Sequence, residues 1–293
     1  MALVRGRAGV RRQQQQRERA ARAWETHPVT PGPDTNAVRD LVGWFRREGA
    51  DLPWRRTRDR WAVLVSEVML QATPVSRVIP YYNQWMRRWP VPADLAAATV
   101  GDALAAWQGL GYPRRARHLH AIATIVTASG WPSSDRYEDL PGVGAYTADA
   151  LRCFADGQQV LPGDVNVRRV VARRFPGGWP GAPRGRAWDA GQAMMDLGRE
   201  YCRARAPRCD GGCPVRAGCP AADAGVVDEV TPRTRRQARY EGSLRQRRGF
   251  LLRALAEDGR VPVASDPEAA EGLVAEGLAD RRGSLLVSAG SAR

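Results

Sequence analysis

From Thr35 to about Ala222 the apolar residues recur at intervals of three and four, punctuated by proline and glycine, and no stretch sustains an alternation of period two. Spacing of that kind gives each segment one apolar stripe, which suits a helix packed on helices and leaves a sheet nothing to bury. The expected core is therefore all-α. A chain of 293 residues with 43% hydrophobic content can close two domains, or one large domain with an appendage.

The flanks read differently. Residues 1–34, with "RRQQQQRERAARAW" and "HPVTPGPD", are polar, basic and broken by proline, which predicts a disordered basic arm. Residues 223–239, around "VTPRTRRQARYEGS", read as a linker. Beyond it, "LRQRRGFLLRALAEDG" and "DPEAAEGLVAEGLADRRG" have helical spacing and "SLLVSAG" reads as a strand. Helix, helix and hairpin in that order predict a small winged-helix-like module over 240–293.

The formal charge of +14 points to a polyanion as partner, nucleic acid before an anionic membrane surface. All 45 basic residues are arginine, so no side-chain amine exists to form a Schiff base. There is no apolar run long enough to span a membrane and no secretion-type apolar segment at the start, so a cytoplasmic, nucleoid-associated protein without membrane contact is expected.

Three segments carry chemistry. "WAVLVSEVMLQ" (Trp61 to Gln71) is apolar nearly all round and predicts a buried helix, yet it contains Glu67. A buried carboxyl either holds its proton near neutrality, as a general acid does, or pairs with one of the arginines. "LPGVGAYTADALRCFA" (Leu140 to Ala155) places Pro-Gly-x-Gly at the start of a helix. The backbone N–H groups of Gly142, Val143 and Gly144 can there face a phosphate without reading sequence. Cys202, Cys209, Cys213 and Cys219 fall within 18 residues, with no histidine among them. Four clustered thiols in a reducing compartment favour metal over disulfides. Structural zinc usually pairs two close doublets across a longer loop, so a 4Fe-4S cluster is the first expectation and zinc the alternative. Cys153, alone in an apolar segment, reads as a packing residue.

Taken together, "SEVMLQ", "GLGY", "LPGVGAYTADA", "DVNVRRV", "GQAMMDLG" and the cysteine cluster resemble the helix-hairpin-helix DNA glycosylases, specifically the adenine DNA glycosylases, over about Asp40 to Pro220. The resemblance implies a two-lobed all-α core over 35–222. Its parts are a six-helix barrel at about 58–160 and a cluster lobe made of 35–57 and 161–222. It implies a monomer that binds double-stranded DNA and hydrolyses the N-glycosidic bond of adenine mispaired with 8-oxoguanine or guanine. Glu67 matches the family's acid, Asp164 the carboxylate that shields the sugar cation, Asn166 a residue that orients the site, and Tyr146 a tyrosine that supports the transition state. Relatives that also cut the backbone carry a lysine at the position of Tyr146, so the match implies a monofunctional enzyme. Tyr112 matches the tyrosine beside the oxidised guanine, Gln71 the first glutamine of the wedge, and Arg55 a residue lining the adenine pocket.

The chain departs from that pattern in four places. Ala72 stands where the family has a second, inserting glutamine, and Pro113 where it has a second tyrosine. Three residues rather than two separate Cys209 from Cys213. The C-terminal segment is too short for the nucleotide-hydrolase-like domain that recognises 8-oxoguanine in many members. Two other readings stay open: a glycosylase for another mismatched base such as thymine, and a non-catalytic iron–sulfur DNA-binding protein.

Overall fold

The computed structural model describes residues 33–225 and 239–290. In chain order these form α1 (Pro33–Glu48), α2 (Arg60–Leu70), α3 (Val75–Arg88), α4 (Pro92–Ala97), α5 (Val100–Ala106), α6 (Arg114–Ser129) and α7 (Ala145–Ala150). They continue with α8 (Val165–Arg174), α9 (Ala187–Glu200), α10 (Pro220–Asp223), α11 (Leu244–Asp258), β1 (Arg260–Pro262), α12 (Pro267–Ala275), β2 (Ala279–Arg282) and β3 (Leu285–Ser288). The arm expected over 1–34 lies outside the described residues except for its last two, which open α1. Most of the 223–239 linker lies outside them as well.

The chain divides into two compact units. The first takes the described residues up to Ala50 and from Arg152 to 225. Its core is a stripe of α1 (Val38, Leu41, Phe45) packed with Val167 and Val170 of α8 and with Met194 and Leu197 of α9. Arg174 at the end of α8 pairs with Asp34 at the start of α1 across 2.7 Å.

The second unit takes Asp51 to Leu151 together with residues 239–290. Asp59 caps α2 by accepting from the Ala62 N–H at 2.9 Å, and every residue from Trp61 to Met69 is buried, as the all-round apolar pattern requires. Trp85 of α3 sits edge-on to both Trp89 and Trp107, at 4.7 and 5.5 Å between ring centroids, and so ties the ends of α3 and α5 together.

The C-terminal residues form the two helices and the hairpin in the expected order and add one short strand, β1, between the helices. The sheet has three strands in the order β1-β3-β2, with Val261 opposite Leu286. Strand β1 is three residues long, too short to show an alternation, and only its antiparallel partner β3 defines it. The module packs on the helices of its own unit: Gly101 N–H donates to Ala289 O at 2.8 Å and Gln108 Nε2 to Leu252 O at 3.0 Å. Glu276 pairs with Arg248 at 2.7 Å and with Arg114 of α6 at 3.9 Å. Helix α12, the second helix of the winged arrangement, exposes Glu268 and Glu271, whereas Arg281 and Arg282 stand exposed at the β2–β3 turn.

Candidate active site and nucleic-acid interface

In the second unit, Glu67 lies on the third turn of α2 with 4% of its surface exposed. Its Oε2 accepts a hydrogen bond from the Tyr146 hydroxyl at 2.7 Å. Tyr146 belongs to the first turn of α7, directly after the turn from Leu140 to Gly144. In that turn Gly142 has φ of +75°, and a Cβ there would stand 2.1 Å from His118 Nδ1, so both the conformation and the close approach require glycine. Val143 is buried and fastens the turn, while Gly142 and Gly144 face solvent with their backbone. An acid and a phosphate-type turn are thus tied together by one phenol. Burial, then Arg114 and Arg117, hold the His118 imidazole below its ordinary 6.5.

The same unit carries the other residues expected at the duplex. Arg55 lies half-buried on a 3-10 turn (Pro53–Arg56) beside the buried Trp54. Gln71 closes α2 and is followed by Ala72 at φ +54°. Tyr112 is 49% exposed with φ of +51°, and Pro113 then caps α6 with an ordinary helical φ of −59°. Proline therefore fits the start of a helix at the position where the family pattern has tyrosine.

In the first unit, Asp164 is the N-cap of α8. Its Oδ1 accepts from the Val167 N–H at 2.7 Å and its Oδ2 from Asn166 Nδ2 at 2.9 Å. Asn166 Oδ1 in turn accepts from Arg169 Nη2 at 2.8 Å. Arg169 is buried, and it also donates to Gly198 O at 2.9 Å and, through Nε, to Cys202 O at 2.7 Å. One line of hydrogen bonds runs from the Asp164 carboxylate to the first cysteine. Gly198 of α9 makes room for it, since a Cβ there would lie 2.7 Å from Asn166 Cβ.

Cys202, Cys209, Cys213 and Cys219 line one cavity of about 550 Å³ together with Arg173 and Arg216. Between the second and third cysteines Gly212 takes φ of +95°, a conformation that favours glycine, and both cysteines line the cavity. Among the described residues no three His, Cys, Asp or Glu side chains converge as a single ion requires. Burial pushes the Cys213 thiol up to about 11 and Cys209 in the same direction, so these sulfurs become thiolates only beside a strong positive charge. Sequence reasoning missed Arg169, which nothing in "DVNVRRV" separates from the arginine before it, and Arg115, one of the chain's many arginines.

The profile of the HhH-GPD superfamily of base excision DNA repair proteins matches residues 65–180. The chain is 42% identical over 252 residues to an adenine DNA glycosylase of Mycobacterium tuberculosis, covering 78% of this chain and 81% of that protein. It is 39% identical over 280 residues to the adenine DNA glycosylase of Mycolicibacterium smegmatis, with 83% and 92% covered. Among solved structures, a thermostable thymine-DNA glycosylase matches with a TM-score of 0.59 at 25% identity, over 65% of this chain and 97% of that one.

Proposed function

Because the chain belongs to the adenine DNA glycosylases within the helix-hairpin-helix superfamily of base excision DNA repair proteins, we propose that it hydrolyses adenine from mispairs with 8-oxoguanine or guanine. Double-stranded DNA is the partner, bound by a monomer at the nucleoid in the cytoplasm. The target nucleotide leaves the stack before reacting, because its glycosidic bond is out of reach inside the duplex. Glu67 delivers a proton to a ring nitrogen of adenine, and the C–N bond then breaks with its electron pair going to the base. Asp164 stabilises the oxocarbenium-like sugar, and water adds at the same carbon and releases one proton, which replaces the one Glu67 gave to adenine, to leave an intact abasic strand. Tyr146 keeps the Glu67 carboxyl aimed, and Asn166 keeps that of Asp164.

The observation that carries this reading is the 2.7 Å hydrogen bond between Tyr146 and the buried Glu67, which gives a buried acid a fixed direction beside the phosphate-type turn. A chain without lysine has no amine for backbone cleavage by a Schiff base. Gly142, Val143, Gly144, Tyr112, Gln71 and Arg55 are the proposed DNA contacts. Cys202, Cys209, Cys213 and Cys219 are the proposed ligands of a 4Fe-4S cluster, which serves as a staple and takes no part in hydrolysis. Four thiols around one cavity of about 550 Å³ supply the donor set of such a cluster, with one zinc ion as the alternative occupant.

The test is base release from duplexes carrying adenine opposite 8-oxoguanine, guanine and cytosine, each with and without later alkali. Release from the first two, with strand breaks only after alkali, is the expected result. Scission without alkali would remove the monofunctional reading. The likeness to a thymine-DNA glycosylase favours one second reading, release of thymine from a G·T mispair, and a duplex with that mispair completes the panel.

A further inference from the structure

Arg115 occupies an unusual position for a cation. Only 8% of it is exposed, and the acceptors around its guanidinium are backbone carbonyls. Nη1 donates to Val68 O at 2.8 Å and Gln71 O at 2.7 Å, with Met69 O further off at 3.4 Å. Nη2 donates to Leu110 O at 3.0 Å and Gly111 O at 3.1 Å. The first group is the C-terminal end of α2, the helix that carries Glu67. The second is the loop that carries Tyr112. The last carbonyls of a helix have no partner within it and form its negative end, so a buried guanidinium there acts as a cap supplied by another element. The charge lies also near the faces of Trp107 and Tyr112, 5.3 Å from each ring.

The two sets of carbonyls have something in common. Gln71 O belongs to the peptide just before Ala72, and Gly111 O to the peptide just before Tyr112. Both Ala72 and Tyr112 are in the left-handed region, where a side chain is strained and persists only if its surroundings over-determine it. Each strained residue thus hangs on a carbonyl held by one prong of the same fork. Gly111 O is fixed a second time by Trp107 Nε1 at 2.9 Å.

We propose that Arg115 is a positioning residue that locks the Gln71–Ala72 turn and the Tyr112 loop into one rigid probe, so that discrimination of the base opposite adenine depends on its fork. With alanine in place of the inserting glutamine, Ala72 reaches less far into the stack, and the setting of Tyr112 against that turn matters more. Lysine cannot replace the fork, because its ammonium is a point charge that cannot hold both prongs' acceptors in that geometry. The proposal rests on the reading that Gln71 and Tyr112 meet the duplex.

The experiment compares the full chain with Arg115→Lys, Tyr112→Ala and the double variant in single-turnover adenine release opposite 8-oxoguanine and opposite guanine. Arg115→Lys is expected to reduce the ratio of the two rates about tenfold, the size expected for a lost charge-assisted hydrogen bond. It should have no further effect on that ratio once Tyr112 is alanine. Equal slowing on both duplexes, or effects that multiply in the double variant, would overturn the proposal. A DNA-free arm separates this idea from the functional reading and does not need the variant to fold. In the unmodified protein, hydrogen exchange of segments 68–73 and 110–115 should show one shared opening free energy and one urea dependence. Independent opening of the two segments would also overturn the proposal, whatever the duplex assays give.

Discussion

The Tyr146 hydroxyl donates to Glu67 Oε2 at 2.7 Å, from a helix that starts at the hairpin turn to a carboxyl buried on α2. The direction of that bond has a consequence. The phenol holds one oxygen of the Glu67 carboxyl and so fixes the orientation of the group that the proposed mechanism uses as the acid. Glu67→Gln keeps the size and an acceptor oxygen but has no proton to give. It is expected to slow adenine release by 10²- to 10⁴-fold with duplex affinity nearly unchanged. Single-turnover release beside a binding titration measures both. Tyr146→Phe should fall between the two, with loss of aim and not of the acid.

Asp164 has two duties that a pair of substitutions can separate. Its Oδ1 caps α8, and in the proposed mechanism its charge stabilises the sugar cation. Asn is as good a cap as Asp, so Asp164→Asn should leave the melting temperature almost in place while base release falls by 10²-fold or more. Asp164→Ala removes the cap as well and should cost about 1 kcal/mol in a urea titration.

Arg169 joins Asn166 Oδ1, Gly198 O and Cys202 O in one buried guanidinium. Arg169→Gln cannot reach all three and leaves buried carbonyls without donors, at about 1–3 kcal/mol for each. The expected outcome is a lower midpoint in urea together with slower base release at saturating enzyme. A variant that lost stability and kept the rate would show that Asn166 holds Asp164 unaided.

Gly198→Ala tests the same place by crowding. The added methyl would press on Asn166 Cβ at 2.7 Å and on its backbone at 3.3 Å, at a cost of about 1–3 kcal/mol. Release should slow more than binding weakens, because the displaced side chain is the one that orients Asp164.

His118 gives the structure a pH dependence with a definite sign. Its imidazole is held below 6.5 in the folded chain, first by burial and then by Arg114 and Arg117. The unfolded chain therefore binds the proton more readily, and stability falls as pH drops below 6.5. Melting temperatures between pH 8 and 5 should decline on the acid side, and His118→Gln should flatten that decline.

Much of this was legible in the sequence, for reasons that differ by residue. The helix of Glu67 was readable because an acid inside an all-round apolar run breaks the pattern that surrounds it. The hairpin turn was readable because only glycine meets its backbone demands at Gly142. Strand β1 was not, since three residues carry no period and its partner β3 lies more than twenty positions away. Arg115 and Arg169 were not readable either. Their work is done through carbonyls, which every residue has, and in a chain with this much arginine the side chain itself signals nothing.

The way residues 239–290 are joined to the helices of their unit has a genetic consequence. A stop codon near position 239 would strip the acceptors from Gly101 and Gln108 and take Glu276 away from the arginines at the head of α6. Such an allele would be read out first as low protein abundance at elevated temperature, and a shift in mutation spectrum would follow from scarcity rather than from altered base choice.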